Sequence, residues 1–157
     1  INCAVLGDGD DLRISECEEP VSAGEILSYE DKYVSGGKGG GSKGMSGAKR
    51  LIPAPISDEM RDTVRRYAAD AFRALGCSGV ARIDFLLDGD KLYVNEINTI
   101  PGSLAFYLFE PAGLKYPELL DELIRIALAR ERRRARRSTS IETGILKNYK
   151  GGTKLRK

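Results

Sequence analysis

Four side chains near the middle of the chain could do chemistry together. Residues 79 to 103, "GVARIDFLLDGDKLYVNEINTIPGS", form two alternating runs around Asp88-Gly89-Asp90, the strongest hairpin signal in the sequence. Side chains on a strand repeat their direction every second residue, so Arg82 and Asp84 share a face of the first run. In the second run, Glu96 and Asn98 are expected to share a face with Leu92 and Val94. A three-residue loop at Asp88 to Asp90 predicts Arg82 opposite Glu96 and Asp84 opposite Val94. Asp84 and Glu96 would then be diagonal neighbours, about 7–8 Å apart at Cα.

Two carboxylates and an amide are hard oxygen donors. They suit Mg²⁺, which takes a few such ligands and completes its shell with water and substrate phosphates. Glu96, flanked by Asp84 and Asn98, has the position of a carboxylate shared between two ions about 3.5–4 Å apart. A plainer use of the same residues is a solvent-facing Arg82–Glu96 pair across the strands, worth roughly 0.2–1 kcal/mol. Two acids, an amide and an arginine on one face, followed at once by Pro101-Gly102, favour a site.

Composition narrows the alternatives. Histidine is absent from the 157 residues, which removes His-activated nucleophiles and His metal centres. The net charge of +2 gives no argument for nucleic acid or membrane, and no run approaches the roughly 20 apolar residues of a membrane span. No signal peptide is visible. Cys3, Cys17 and Cys77 are odd in number and lack C-x-x-C spacing, as expected of reduced, mostly buried thiols in a cytoplasmic protein. "INCAVLG" already reads as a strand and has no initiator Met, so the chain is expected to be a fragment.

The elements that must position the four side chains are legible as well. "INCAVLG" places Ile1, Cys3 and Val5 on one face and Asn2 and Ala4 on the other, and short strands follow to about Tyr33. Residues 35 to 50 are a Gly/Ser/Lys loop expected to be mobile. Ser57 is a predicted N-cap, followed by Asp58 and Glu59 at the positive end of a helix dipole. Met60, Val64, Ala68, Phe72 and Leu75 repeat at helical spacing until Gly76. Residues 99 to 115 are irregular or short-helical. A second helix starts at Pro117 with Leu119, Leu120, Leu123, Ile124, Ala127 and Leu128 as its stripe. The order predicts an α+β fold, antiparallel strands covered by helices. Residues 1 to 129 are the expected catalytic portion, and residues 130 to 157 a basic tail.

The run from "GVARIDFLL" to "LYVNEINTIPGS" resembles the C-terminal part of the ATP-grasp domain of D-alanine:D-alanine ligases. The likeness extends from "INCAVLG" through "DKY" and "LGCSGVARIDF" to "GLKYPELLDELI". It implies that Asp84, Glu96 and Asn98 bind two Mg²⁺ ions, or Mn²⁺, that bridge ATP phosphates. It implies that Arg82 and the Gly102 N–H stabilise the oxyanion of a tetrahedral intermediate. The implied reaction joins two D-alanines for peptidoglycan precursors through an acyl phosphate. It also implies a lid in which Lys32 contacts ATP phosphate and Tyr33, a catalytic candidate, helps order the lid around substrate, favouring D-alanine over D-lactate as acceptor.

Two features depart from the family pattern. The glycine-rich insert after Tyr33 is unlike the usual lid, and it contains no G-x-x-x-x-G-K-[ST] phosphate loop. Tyr107 stands five residues after Gly102, where relatives place a Ser for the acceptor carboxylate. Tyr107, Ser103 and Leu108 are therefore the substrate-binding candidates, and another small amino or hydroxy acid is an alternative acceptor. The resemblance covers the second half of such a ligase. It implies a missing N-terminal half as partner, an inactive fragment and a homodimer when intact. A non-catalytic polyanion-binding module built on "RERRRARR" is the competing class, although no aromatics interleave with the arginines.

Overall fold

The computed structural model describes residues 1–21 and 49–137. Lys32, Tyr33, most of the glycine-rich segment and residues 138–157 lie outside the described residues. Five antiparallel strands form a sheet in the order β3-β2-β1-β4-β5. They are β1 (Asn2–Asp8), β2 (Asp11–Val21), β3 (Lys49–Leu51), β4 (Ser78–Asp88) and β5 (Lys91–Asn98).

β1 is buried from Asn2 to Gly7, because both faces of this central strand are covered. Cys3 and Val5 point into a core with Val64, Ala68, Phe72, Ile83 and Phe85. Ala4 and Leu6 point the other way, against Ala105, Leu108, Phe109, Leu119 and Ile126. The first core lies under α1 (Asp58–Ala74), the second under the four-residue α2 (Phe106–Phe109) and α3 (Tyr116–Ala135). The result is helix, sheet, helix, three layers with β1 in the middle.

The predicted caps are used. Ser57 Oγ accepts from the Met60 N–H at 3.2 Å, one of the orphan donors of the first turn. Gly76 takes a φ of +62° just past the end of α1, a left-handed position that glycine adopts without steric cost. At the start of α3 the Glu118 carboxylate accepts from the Lys115 N–H at 3.1 Å. This helix continues through the arginine run to Ala135, beyond the boundary drawn at residue 129. Arg133 ties it to the end of β1 by an ion pair with Asp8. No helix among the described residues is long and apolar enough to cross a membrane.

The hairpin differs from its expected register. Asp88 pairs with Lys91, so the loop is the two residues Gly89-Asp90, with Gly89 at φ +58°. Positive φ at the first turn residue matches the right-handed twist of the strands, which is why such short turns are favoured. A bulge then inserts Asn95, between Phe85↔Val94 and Asp84↔Glu96. The extra residue reverses the face of everything after it. Glu96 and Asn98 therefore leave the face of Leu92 and Val94, and Ile97 joins Leu92 against the α1 core.

Candidate active site on the face opposite the first helix

The bulge creates the site. With Asn95 absorbed, Asp84 stands directly opposite Glu96, and Arg82 opposite Asn98. The expected diagonal placement is thus replaced by direct pairing. On its other side Asp84 pairs with Asn2, which pairs with Glu18. One polar row, Glu18–Asn2–Asp84–Glu96, crosses four adjacent strands at about 4.8 Å per step. Ala4 lies beside Arg82 in the next row.

Arg82 and Asp84 form a two-pronged ion pair along β4. Arg82 Nε donates to Asp84 Oδ1 at 2.7 Å and Nη2 to Oδ2 at 2.9 Å, with both residues only 7% exposed. The simple Arg82–Glu96 alternative is not what the arginine adopts. Burial pulls the Arg82 pKa down, but the Asp84 hydrogen bonds and charge outweigh it and leave the guanidinium raised above its ordinary range. Glu96 is exposed at the outer end of the row. Asn98 Oδ1 accepts from the Ile100 N–H at 3.2 Å, bending the chain as it leaves β5.

The turn after β5 is strained. Ser103, Leu104 and Ala105 are consecutive non-glycine residues at φ 51°, 55° and 52°. Left-handed backbone costs an L-residue roughly 1–2 kcal/mol, so the packing must over-determine this segment. Ala105, Leu108 and Phe109 supply that packing, all buried in the second core. Leu108 is 0% exposed, its side chain packed in the second core between Tyr107 and Phe109 in the chain. Ser103 is exposed and its Oγ donates to the Gly102 carbonyl at 2.7 Å.

Tyr107 reaches back to the sheet. Its hydroxyl donates to Glu18 Oε1 at 3.2 Å, and the Arg50 guanidinium lies 4.4 Å over its ring. A phenol has one proton, so while Glu18 holds it Tyr107 cannot also donate to an acceptor carboxylate. Glu18, Asn2 and Arg50 did not stand out among the candidate residues. Their signal was weak: a polar Asn in an apolar strand and an acid in "ECEEP", meaningful only once the register joins them.

Asp84 and Glu96 face each other with Asn98 on the same side, and this hard-oxygen set fits a divalent cation in donor type. Among the described residues no group of three or more His, Cys, Asp or Glu converges, so the amide of Asn98 is needed as the third donor. Arg82 occupies one lone pair on each Asp84 oxygen, and the remaining lone pairs are open to a cation.

Residues 1–125 match the family described as D-ala D-ala ligase C-terminus. The chain belongs to this family. The D-alanine--D-alanine ligase of Thermosipho melanesiensis is 40% identical over 147 residues, covering 94% of this chain and 38% of that protein. Among solved structures, the D-alanine-D-alanine ligase from Coxiella burnetii superposes with a TM-score of 0.65 at 29% identity. That match covers 85% of this chain and 33% of the other. VanG D-Ala:D-Ser ligase from Enterococcus faecalis gives a TM-score of 0.60 at 29% identity, over 80% and 35%. The chain therefore spans little more than a third of the length of these relatives, and it carries the fold of their C-terminal portion.

Proposed function

We propose that the chain supplies the metal and oxyanion half of an ATP-dependent ligase joining two D-alanines. The observation that carries this is the pairing of Asp84 with Glu96, with Arg82 and Asn98 alongside, immediately before Gly102. In this reading one D-alanine carboxylate attacks the γ-phosphate of ATP, giving an acyl phosphate and ADP. The amine of the second D-alanine then adds to the acyl carbon, and the tetrahedral intermediate expels phosphate.

Negative charge develops on the acyl oxygen in the second step. Arg82, always protonated, and the Gly102 N–H are the donors that meet it. Asp84, Glu96 and Asn98 would hold Mg²⁺, which when bound neutralises charge on the ATP phosphates. Lys32 and Tyr33 are assigned to the ATP phosphate and the substrate by the resemblance. A cytoplasmic location, a homodimer and a contribution from the rest of the polypeptide belong to the same reading.

Tyr107 favours a second acceptor. Its committed proton and the nearby Glu18 carboxylate make this wall unlike one built around a serine hydroxyl. A small D-amino acid other than D-alanine is therefore the alternative, in keeping with the D-Ala:D-Ser name of one structural neighbour.

The test is ADP release with dipeptide detection, using the complete polypeptide that carries this chain, ATP, Mg²⁺ and D-alanine. D-Alanyl-D-alanine formed in step with ADP is the expected result. Hydrolysis of ATP with no dipeptide from any D-amino acid would defeat the proposal.

A further inference from the structure

A buried carboxylate that the reaction does not use sits beside the strained turn. Glu18 is 4% exposed, and its Oε1 accepts from Asn2 Nδ2 at 2.9 Å and from the Tyr107 hydroxyl at 3.2 Å. Its Oε2 is buried without a hydrogen bond and faces Arg50 Nη1 at 4.0 Å. Glu18 on β2 thus touches β1 through Asn2, α2 through Tyr107 and β3 through Arg50. Among the described residues, Tyr107 makes the one side-chain hydrogen bond from residues 102–109 to the sheet.

That bond spans the place where positioning is most needed. The left-handed run Ser103–Ala105 is braced locally by Leu104 N–H to the Pro101 carbonyl, Phe106 N–H to the Ser103 carbonyl and the Ser103 hydroxyl to the Gly102 carbonyl, none of which reaches the sheet. Apolar contacts of Ala105, Leu108 and Phe109 resist withdrawal from the core, but they are non-directional. A hydrogen bond to a buried carboxylate is directional and fixes rotation as well as depth. Burial and the neighbouring Glu18 charge hold the Tyr107 phenol protonated, the form that can donate.

We propose that Glu18 is a positioning residue that acts through Tyr107, holding the turn so that the Gly102 N–H faces the Arg82 end of the site. This deepens the ligase reading and rests on it. Glu18 touches neither substrate nor reacting atoms. Its place in the polar row, two strands from Asp84, puts the latch and the metal candidates on one rigid ladder. A loosened latch should therefore harm the step that needs Gly102 and leave nucleotide binding alone.

The experiment compares Glu18→Ala, Tyr107→Phe, the double variant and Glu18→Gln in the complete polypeptide, by steady-state kinetics. Glu18→Ala and Tyr107→Phe should each lower kcat by roughly tenfold or more with KM for ATP nearly unchanged, since small misplacements of a reacting group are that costly. The double variant should be no worse than either single one, and Glu18→Gln, whose amide oxygen still accepts both bonds, should recover most of the rate. Independent, multiplicative losses would overturn the proposal. So would a full rate in folded Tyr107→Phe, which removes a single hydroxyl and keeps the ring packing. Amide exchange at Leu104 and Phe106, whose N–H groups are hydrogen-bonded within the turn, gives a readout without catalysis in the 157-residue chain: Tyr107→Phe should speed it, and unchanged exchange contradicts the latch. An inactive wild type with faster exchange in Tyr107→Phe would sink the ligase reading and leave the latch standing.

Discussion

Arg82 holds both carboxylate oxygens of Asp84, at 2.7 and 2.9 Å, in a site that excludes most water from either group. The pair uses one lone pair on each Asp84 oxygen and two of the five Arg82 N–H donors, so lone pairs remain for a cation and N–H groups for an oxyanion. The guanidinium is the counter-charge of Asp84, and a cation on Asp84 would compete with it for that charge.

Replacing Arg82 by Met should expose that competition. Removing one partner of a buried pair leaves an uncompensated charge, so the metal-free chain should lose about 3–5 kcal/mol in urea unfolding. Millimolar Mg²⁺ should then stabilise Arg82→Met more than wild type, because no guanidinium competes with the cation for the Asp84 charge. An equal metal effect on both proteins would contradict the competition.

Tyr107 sets an alkaline limit. Burial, and then the Glu18 charge, raise its phenol above the ordinary value of about 10. The folded state keeps a proton that the unfolded chain gives up, so its contribution is complete below about pH 10 and is lost as the pH rises further. The stability difference between wild type and Tyr107→Phe should shrink above that pH. A difference that stays constant to pH 11 or so would place the hydroxyl in water.

Thiol chemistry should separate the three free cysteines. Cys3 and Cys17 are 0% exposed and face each other between β1 and β2, while Cys77 is half-buried at the start of β4's approach. Burial and the Cys17 contact push the Cys3 thiol well up, with the hydrogen bond to Cys17 the larger cause. A disulfide reagent on the native chain should label Cys77 first and the other two only on unfolding. Rapid native labelling of Cys3 would mean that β1 opens locally.

Much of the fold was legible because its signals are local. The 3.6-residue stripe and caps of α1, the alternation of β1 and the Asp-Gly turn each act within a few residues. The site residues Arg82, Asp84, Glu96 and Asn98 could be named from their types and spacing. Their mutual geometry could not, because one bulged residue, Asn95, decides which face Glu96 presents, and no residue type announces a bulge. Glu18 was hidden for a related reason: its importance lies in partners 16 and 89 residues away. The path of residues 102–109 was hidden as well, because three consecutive left-handed residues without glycine, Ser103–Ala105, have no sequence signal.

In the proposed reading Asp84, Glu96 and Asn98 form one metal-holding face, and Glu96 is its most sensitive position. Glu96 stands opposite Asp84, with Asn98 two residues further along the same strand, so it is the proposed shared ligand. Mn²⁺ binding, titrated by electron paramagnetic resonance on the complete polypeptide with ATP present, should be measured for wild type, Glu96→Gln and Asn98→Ala. Glu96→Gln keeps the shape and removes the charge; it should weaken binding by about 10–100-fold and abolish dipeptide formation. Asn98→Ala should be less severe in both. Wild-type metal affinity and turnover in Glu96→Gln would rule out Glu96 as a shared metal ligand.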